Sequence, residues 1–136
     1  MADIEYRTQA PDPDAFLALF ETTGWNEAYR ATSDDLARGL EGSWHTLSAY
    51  DGERLVGFGR LVSDGALHAM VFDLIVHPTH RRRGIGSEIL RRLTAECRRR
   101  GVRDVQLFAA RGKREFYERH GFSARPGDAP GMEFRR

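Results

Sequence analysis

The spacing of hydrophobic and polar residues changes period several times along the chain, and each change marks an element. Ile4 to Thr8 alternates as a short strand. Asp12-Pro13-Asp14 then starts a helix over Ala15 to Glu21, with proline tolerated in the first turn and Gly24 as the stop. Ser33 caps a second helix, Asp34 to Leu40, whose early acidic residues suit the positive end of its dipole. Trp44 to Tyr50 and Leu55 to Val62 are β-favouring runs joined by Asp51-Gly52, a hairpin signal. After the Ser63-Asp64-Gly65 turn, Leu67 to Val76 alternates as a strand covered on both sides. Met70, Phe72, Leu74 and Val76 are expected on one face, with Val71, Asp73 and Ile75 on the other. Pro78 ends that strand.

From Gly84 the period lengthens. Ile85, Ile89, Leu93 and Cys97 recur every four residues, an apolar stripe on a helix that reaches about Arg100 and closes at Gly101. Val102 to Ala109 reads as a strand, Lys113 to His120 as a short helix stopped by Gly121, and Met132 to Phe134 as a last strand. The predicted order is β-α-α-β-β-β-α-β-α-β. A strand, helix, strand unit within an antiparallel meander gives an α+β (α/β) fold with a mixed, mostly antiparallel sheet flanked by helices.

The 136 residues suit one domain, 1–136, with one core, and no linker or repeat divides them. Cys97 is the single cysteine, so it is read as a core-facing helix residue rather than as part of a disulfide or metal framework. No apolar run is long enough to span a bilayer, and Met1-Ala2-Asp3-Ile4-Glu5 lacks the pattern of a signal peptide, so a cytoplasmic protein with no membrane partner is expected. Arg81 to Arg83, Arg98 to Arg100 and Arg135-Arg136 raise the alternative of nucleic-acid binding. Against it, 21 basic residues are balanced by 20 acidic ones, whereas a phosphate-tracking surface carries a larger excess.

The chemistry concentrates at Arg81-Arg82-Arg83-Gly84-Ile85-Gly86, between a strand and a long helix. Glycines let a backbone approach a ligand, the helix start offers unpaired N–H groups, and the arginines add donors, so the segment suits a pyrophosphate. It has neither the Gly-Lys-Ser/Thr ending of a P-loop nor the third glycine of a dinucleotide fingerprint. The segment resembles the Gln/Arg-x-x-Gly-x-Gly/Ala acetyl-CoA signature of GNAT acetyltransferases. Glu115-Phe116-Tyr117-Glu118-Arg119-His120-Gly121-Phe122 is similar to the Phe-Tyr-x-x-x-Gly-Phe segment on that family's penultimate helix. The stretch from Arg60 to Asp73, with Gly131-Met132, looks most like the small branch that includes serotonin-type arylalkylamine acetyltransferases.

What this resemblance implies is a GNAT fold and transfer of an acetyl group from acetyl-CoA to a primary amine by direct attack in a ternary complex. It implies that Leu74, Ile75 and Val76 hold the pantetheine arm and that Arg81, Arg82, Arg83, Gly84, Ile85, Gly86 and Ser87 hold the pyrophosphate. Tyr117 matches the family's tyrosine, touching the cofactor and protonating the departing thiolate, since a phenol near pKa 10 can give a proton to a thiolate held against it.

A lysine-like amine must lose a proton before it attacks, at a cost of about 4.6 kcal/mol at pH 7. Asp73, in an apolar stretch of a buried strand, is the candidate base, with a structural partnership to Arg60 as the equal alternative. His45 and His68 stand in reserve. The chain departs from the family at Met70, where many members place a Glu base, and at Ala110, where many carry an Asn that contacts CoA. Trp25, Trp44 and Tyr29 could line an acceptor pocket, but such aromatics more often build core. The expected partner is a small-molecule amine or a protein lysine or N-terminus, with no metal and no nucleic acid, and with a homodimer left open. A GNAT fold that binds CoA without catalysis is the other alternative.

Overall fold

The computed structural model describes residues 3–135. Asp12 caps α1 (Pro13–Glu21) by accepting from the Ala15 amide, with Pro13 in the first turn as its missing N–H allows. The second predicted helix, α3 (Ser33–Glu41), starts one residue earlier than Ser33 as cap would place it. Thr32 is its cap, and Thr32 and Asp35 satisfy each other's backbone in a capping box. Between them lies a short helix that the sequence pattern did not show, α2 (Asn26–Tyr29), which ends at Arg30 in the left-handed region.

One five-stranded sheet follows, in the order β1 (Ile4–Arg7), β2 (His45–Asp51), β3 (Arg54–Ser63), β4 (His68–Val76) and β5 (Asp104–Leu107). The first four strands are antiparallel to their neighbours, and β5 is parallel to β4, joined to it by α4 (Ile85–Arg99). A parallel neighbour requires such a crossover. The mixed sheet and its flanking helices are the expected α+β architecture. α5 (Arg114–Arg119) follows β5.

Two apolar clusters sandwich the sheet. On one face, Ile85, Ile89, Leu90, Leu93 and Cys97 of α4 are almost fully buried against Leu47, Ala49, Val56, Leu61, Ala69 and Val71. Burying side chains of this size stabilises the fold by roughly 1.5–3 kcal/mol each. Cys97 is thus the core-facing helix residue its spacing indicated. On the other face, Phe16, Leu19 and Phe20 of α1 and Leu40 of α3 pack on Leu55, Phe58 and Ile75.

Three details of the sheet depart from the sequence pattern. The alternation along β4 breaks at Asp73, whose φ is 56°. Gly59 of β3 faces two residues there, Asp73 and Leu74, because Phe58 pairs with Ile75 and Arg60 already with Phe72. This β-bulge moves Leu74 and Val76 onto the α4 face beside Ala69 and Val71, instead of sharing a face with Met70 and Phe72. Secondly, Gly57 and Gly59 are sites of close packing. A Cβ on Gly57 would come within 2.9 Å of Ile85, and one on Gly59 within 2.8 Å of Ile89, so α4 lies directly on the β3 backbone.

Thirdly, the predicted last strand, Met132 to Phe134, does not form. Both named side chains are 86% exposed, and the sheet ends at β5. Pro126 and Pro130 interrupt the approach, Arg125 folds back onto the Ala129 carbonyl, and Gly131 lies on the Phe108 ring, which leaves the segment no strand to pair with. Among the described residues no helix is long and apolar enough to cross a membrane.

Candidate functional site

The sheet opens where β4 passes its bulge. β5 pairs with β4 from His68–Asp104 to Val71–Leu107 and no further, while β4 continues to Val76. Beyond that point the two strands diverge, leaving one edge of β4 bare. The His77 amide donates to the Val56 carbonyl at 2.7 Å, across the Gly57–Val76 pair. That bond makes Gly57–Val76 a non-hydrogen-bonded pair, so the polar backbone groups of Val76 point away from β3 toward the bare edge. Phe58 and Ile75 form the adjacent hydrogen-bonded pair. The backbone of Ile75 is therefore turned to β3, and its side chain is buried against the α1 cluster. Of Leu74, Ile75 and Val76, Val76 is the residue whose backbone is offered to a ligand by this pairing.

The chain turns off β4 through a single 3₁₀ turn, Pro78–His80, into the arginine segment. Arg81 is extended, Arg82 has a φ of 64° and Gly84 one of 78°. Such an alternation of backbone hand turns successive N–H groups toward one side, an anion-binding concavity. Gly84 caps α4 with no side-chain hydrogen bond, so the amides of Ile85, Gly86 and Ser87 have no partner in the helix. Arg81, Arg82 and Arg83 are exposed, and among the described residues none forms an ion pair. Arg91 and Arg92, by contrast, are both held by Glu88. The segment thus presents uncommitted cations and free amides at the mouth of the open edge. A Cβ on Gly86 would reach ordinary contact distance from Val76 and the Phe116 ring, which brings α5 up to the same mouth.

Tyr117 stands next to Phe116, with ring centroids 5.1 Å apart, and packs against the α4-side cluster. Burial pushes its phenol above the ordinary tyrosine value, so it is protonated throughout the neutral range. Asp73 lies at the bulge, on the other side of the sheet. Arg60 Nε donates to Asp73 Oδ2 at 2.7 Å, with both side chains about one-fifth exposed, and Arg60 Nη1 reaches the Gly39 carbonyl and Ser43 Oγ near the end of α3. The partnership with Arg60 is therefore real, and among the described residues it leaves Oδ1 of Asp73 uninvolved. Asp73 and Tyr117 flank the opening from the sheet's two faces.

The reserve histidines lie elsewhere. His45 begins β2 and His68 begins β4, both at the end of the sheet opposite the arginine segment. His68 is paired with Asp104 Oδ2 at 2.9 Å. His45 lines a cleft of about 510 Å³ with Trp44, Ser43, Glu96 and Arg99, which includes neither Asp73, Tyr117 nor any residue of the arginine segment. Trp44 is also away from the opening, under the Arg100 guanidinium at 4.1 Å. Trp25 packs edge-on to Phe20 in the α1 cluster, and Tyr29 is exposed. Sequence reasoning missed the bulge and the glycine pair in β3. Gly57-x-Gly59 inside an apolar strand was the available signal for the close helix contact. Among the described residues no group of His, Cys, Asp or Glu is arranged to hold a metal ion.

Comparison with known proteins identifies this architecture. Residues 8–122 match the model of the Acetyltransferase (GNAT) family. Serotonin N-acetyltransferase 2, chloroplastic, from rice (Oryza sativa subsp. japonica) is 35% identical over 129 residues, covering 92% of this chain and 63% of that protein. Histone acetyltransferase TAP1 from soybean (Glycine max) is 29% identical over 126 residues, covering 85% of this chain and 53% of that one. The chain thus spans between about half and two-thirds of the length of these curated relatives. Among solved structures, a GNAT-family acetyltransferase from Streptococcus pneumoniae superposes with a TM-score of 0.82 at 29% identity, covering 100% of this chain and 98% of that one. A Staphylococcus aureus protein described as a probable acetyltransferase shares the fold, with a TM-score of 0.87 at 23% identity over 98% and 100% of the two chains. The chain belongs to the GNAT family of acetyltransferases, acyltransferases that use acetyl-CoA as donor.

Proposed function

We propose that the protein transfers the acetyl group of acetyl-CoA to a primary amine by direct attack in a ternary complex. The observation that carries this reading is the bare edge of β4 at Val76, set beside an uncapped helix start and three unpaired arginines. A strand edge suits the amides of a pantetheine arm, and the concavity at Arg82 to Gly84 suits a pyrophosphate. Val76 would hold the arm, and Arg81 to Ser87 the pyrophosphate, the backbone supplying position and the arginines charge.

In the transfer, the amine nitrogen forms a bond to the acetyl carbon and the carbon–sulfur bond breaks. Tyr117 gives its phenolic proton to the departing sulfur and recovers one from water. Asp73 receives on Oδ1 the proton the ammonium gives up before attack and passes it to water, while Arg60 holds Oδ2 and fixes the carboxylate. The second proton, lost as the amide forms, goes to solvent and balances the one Tyr117 recovers. The acceptor enters from the face of Asp73 and the donor from that of Tyr117. Likeness to the rice enzyme puts arylalkylamines first among acceptors to test, and likeness to the soybean enzyme puts lysine peptides second.

An acceptor screen that follows CoA release tests this reading. Acetyl-CoA should raise the thermal midpoint of the protein. Tyr117→Phe should lower kcat by roughly a hundredfold or more, the range of general acid catalysis, and leave acetyl-CoA binding intact. Asp73→Asn should alter the pH profile of turnover; an unchanged profile removes Asp73 as the base. No thermal stabilisation by acetyl-CoA would end the proposal.

A further inference from the structure

Side chains between the end of β4 and the arginine segment form a hydrogen-bonded chain that none of the roles above uses. Arg54 Nη2 lies 3.1 Å from His77 Nε2, and His77 Nδ1 lies 2.8 Å from Thr79 Oγ1. Thr79 Oγ1 lies 2.7 Å from His80 Nδ1, and His80 Nε2 lies 2.8 Å from Asp51 Oδ2. The two ends, Asp51 and Arg54, are cross-strand partners at the tip of the β2–β3 hairpin. The chain therefore closes into a ring that clamps the Pro78–His80 turn onto that hairpin.

The chemistry of the two ends fixes the roles of those ends. A guanidinium only donates and an ionised carboxylate only accepts. Arg54 can act only as a donor toward His77, and Asp51 only as an acceptor from His80. Thr79 Oγ1, between His77 Nδ1 and His80 Nδ1, can donate to one and accept from the other. The Thr79 amide is 3.2 Å from the same His77 nitrogen. That amide can only donate, so His77 Nδ1 accepts from it and the ring side chain also caps the turn. Partial burial and the Arg54 cation hold His77 below the usual histidine range, and the His80 hydrogen bond holds the Asp51 carboxyl below the usual carboxylate range.

Position gives the ring its consequence. His80 is buried, 6% exposed, and directly precedes Arg81. The segment beyond it has two residues with positive φ, no side-chain cap and no ion pair, so it has little of its own to select one conformation. The Arg83 cation also helps to lower the carboxyl of Asp51, at one end of the ring.

We propose that Arg54, His77, Thr79, His80 and Asp51 are positioning residues that hold the Arg81–Gly84 segment in the geometry that receives pyrophosphate, with Thr79 as the link that closes the ring. This rests on the acetyl-CoA reading above. Thr79 is exposed, so Thr79→Val removes the hydroxyl with little change of shape or core packing, and Thr79→Ser restores it.

Thr79→Val should raise the Kd and KM for acetyl-CoA by about tenfold, the scale of one or two lost hydrogen bonds, with kcat at saturation unchanged and Thr79→Ser like wild type. With S-acetylpantetheine, a donor without pyrophosphate, Thr79→Val and wild type should turn over equally. Equal acetyl-CoA binding by Thr79→Val and wild type overturns the ring's role, as does an equal loss with both donors, which marks general damage. His80→Phe reads the buried end by the same pair of donors. A wild-type protein that fails to bind acetyl-CoA at all defeats the proposed function itself, an outcome distinct from either of these.

Discussion

Ser48 is fully buried, and its Oγ is the buried side-chain oxygen with no hydrogen-bond partner among the described residues. A hydroxyl desolvated without a partner costs about 1–3 kcal/mol. Ser48→Ala removes that cost and leaves only a small void, so it should raise the unfolding free energy by about 1 kcal/mol, or about 4 °C in Tm for a chain of this size. Denaturant unfolding with an unchanged m-value is the check; a loss of stability would mean that Ser48 has a partner in solution. Asp73 is the opposite kind of residue, strained but partnered. Its left-handed backbone is unfavourable for a side chain, and the Arg60 pair and the bulge hold it there. Sequence reasoning found Asp73 through its odd chemistry in an apolar strand. It could not find the strain, because an aspartate at an alternating position reads as a regular strand residue whatever its φ.

The contact between α4 and β3 is set by absent side chains. The α4 stripe was legible because Ile85, Ile89, Leu93 and Cys97 recur at helical spacing, and its burial followed. How closely the helix approaches was not, because that depends on Gly57 and Gly59 across the interface, a pairing between elements that no local pattern encodes. Gly59→Ala would put a Cβ 2.8 Å from Ile89 and 3.0 Å from Leu93, both fully buried and without room to turn aside. It should destabilise the protein by about 1–3 kcal/mol. Because α4 begins at the arginine segment, the shift should also weaken acetyl-CoA binding, measured by calorimetry on the folded variant. Gly84→Ala separates the two effects, since a Cβ there meets nothing within 4 Å and is opposed only by the φ of 78°. The missing strand at Met132 to Phe134 belongs to the same class: alternation was present in the sequence, but an edge to pair with was not.

Across the molecule, the shifted ionisations set where the fold is stable. His45 is held below its ordinary value mainly by burial, and His77 by burial and the Arg54 cation. A histidine with a lowered folded pKa binds fewer protons folded than unfolded just below pH 6.5, so stability is present above that value and falls as pH drops through it. Asp51, Asp64, Glu88, Glu96 and Asp104 are all lowered, chiefly by hydrogen bonds to their charged and amide partners. Their contribution is likewise present above the unfolded carboxylate values and is lost further into acid. Tyr117 works in the other direction. Its raised phenol keeps a proton that the unfolded chain gives up near pH 10, so stability falls again as pH rises past that point. The thermal midpoint should therefore be highest near neutrality, decline in a first step below about pH 6.5 and in a second below about pH 4, and decline at the alkaline end above about pH 10. Replacing His45 by Asn should reduce the first acid step, and Tyr117→Phe should remove the Tyr117 part of the alkaline one. Calorimetric scans of the three proteins across this range test the assignment; a first step unchanged in the His45 variant would place its origin at His77 and hence in the ring that holds the arginine segment.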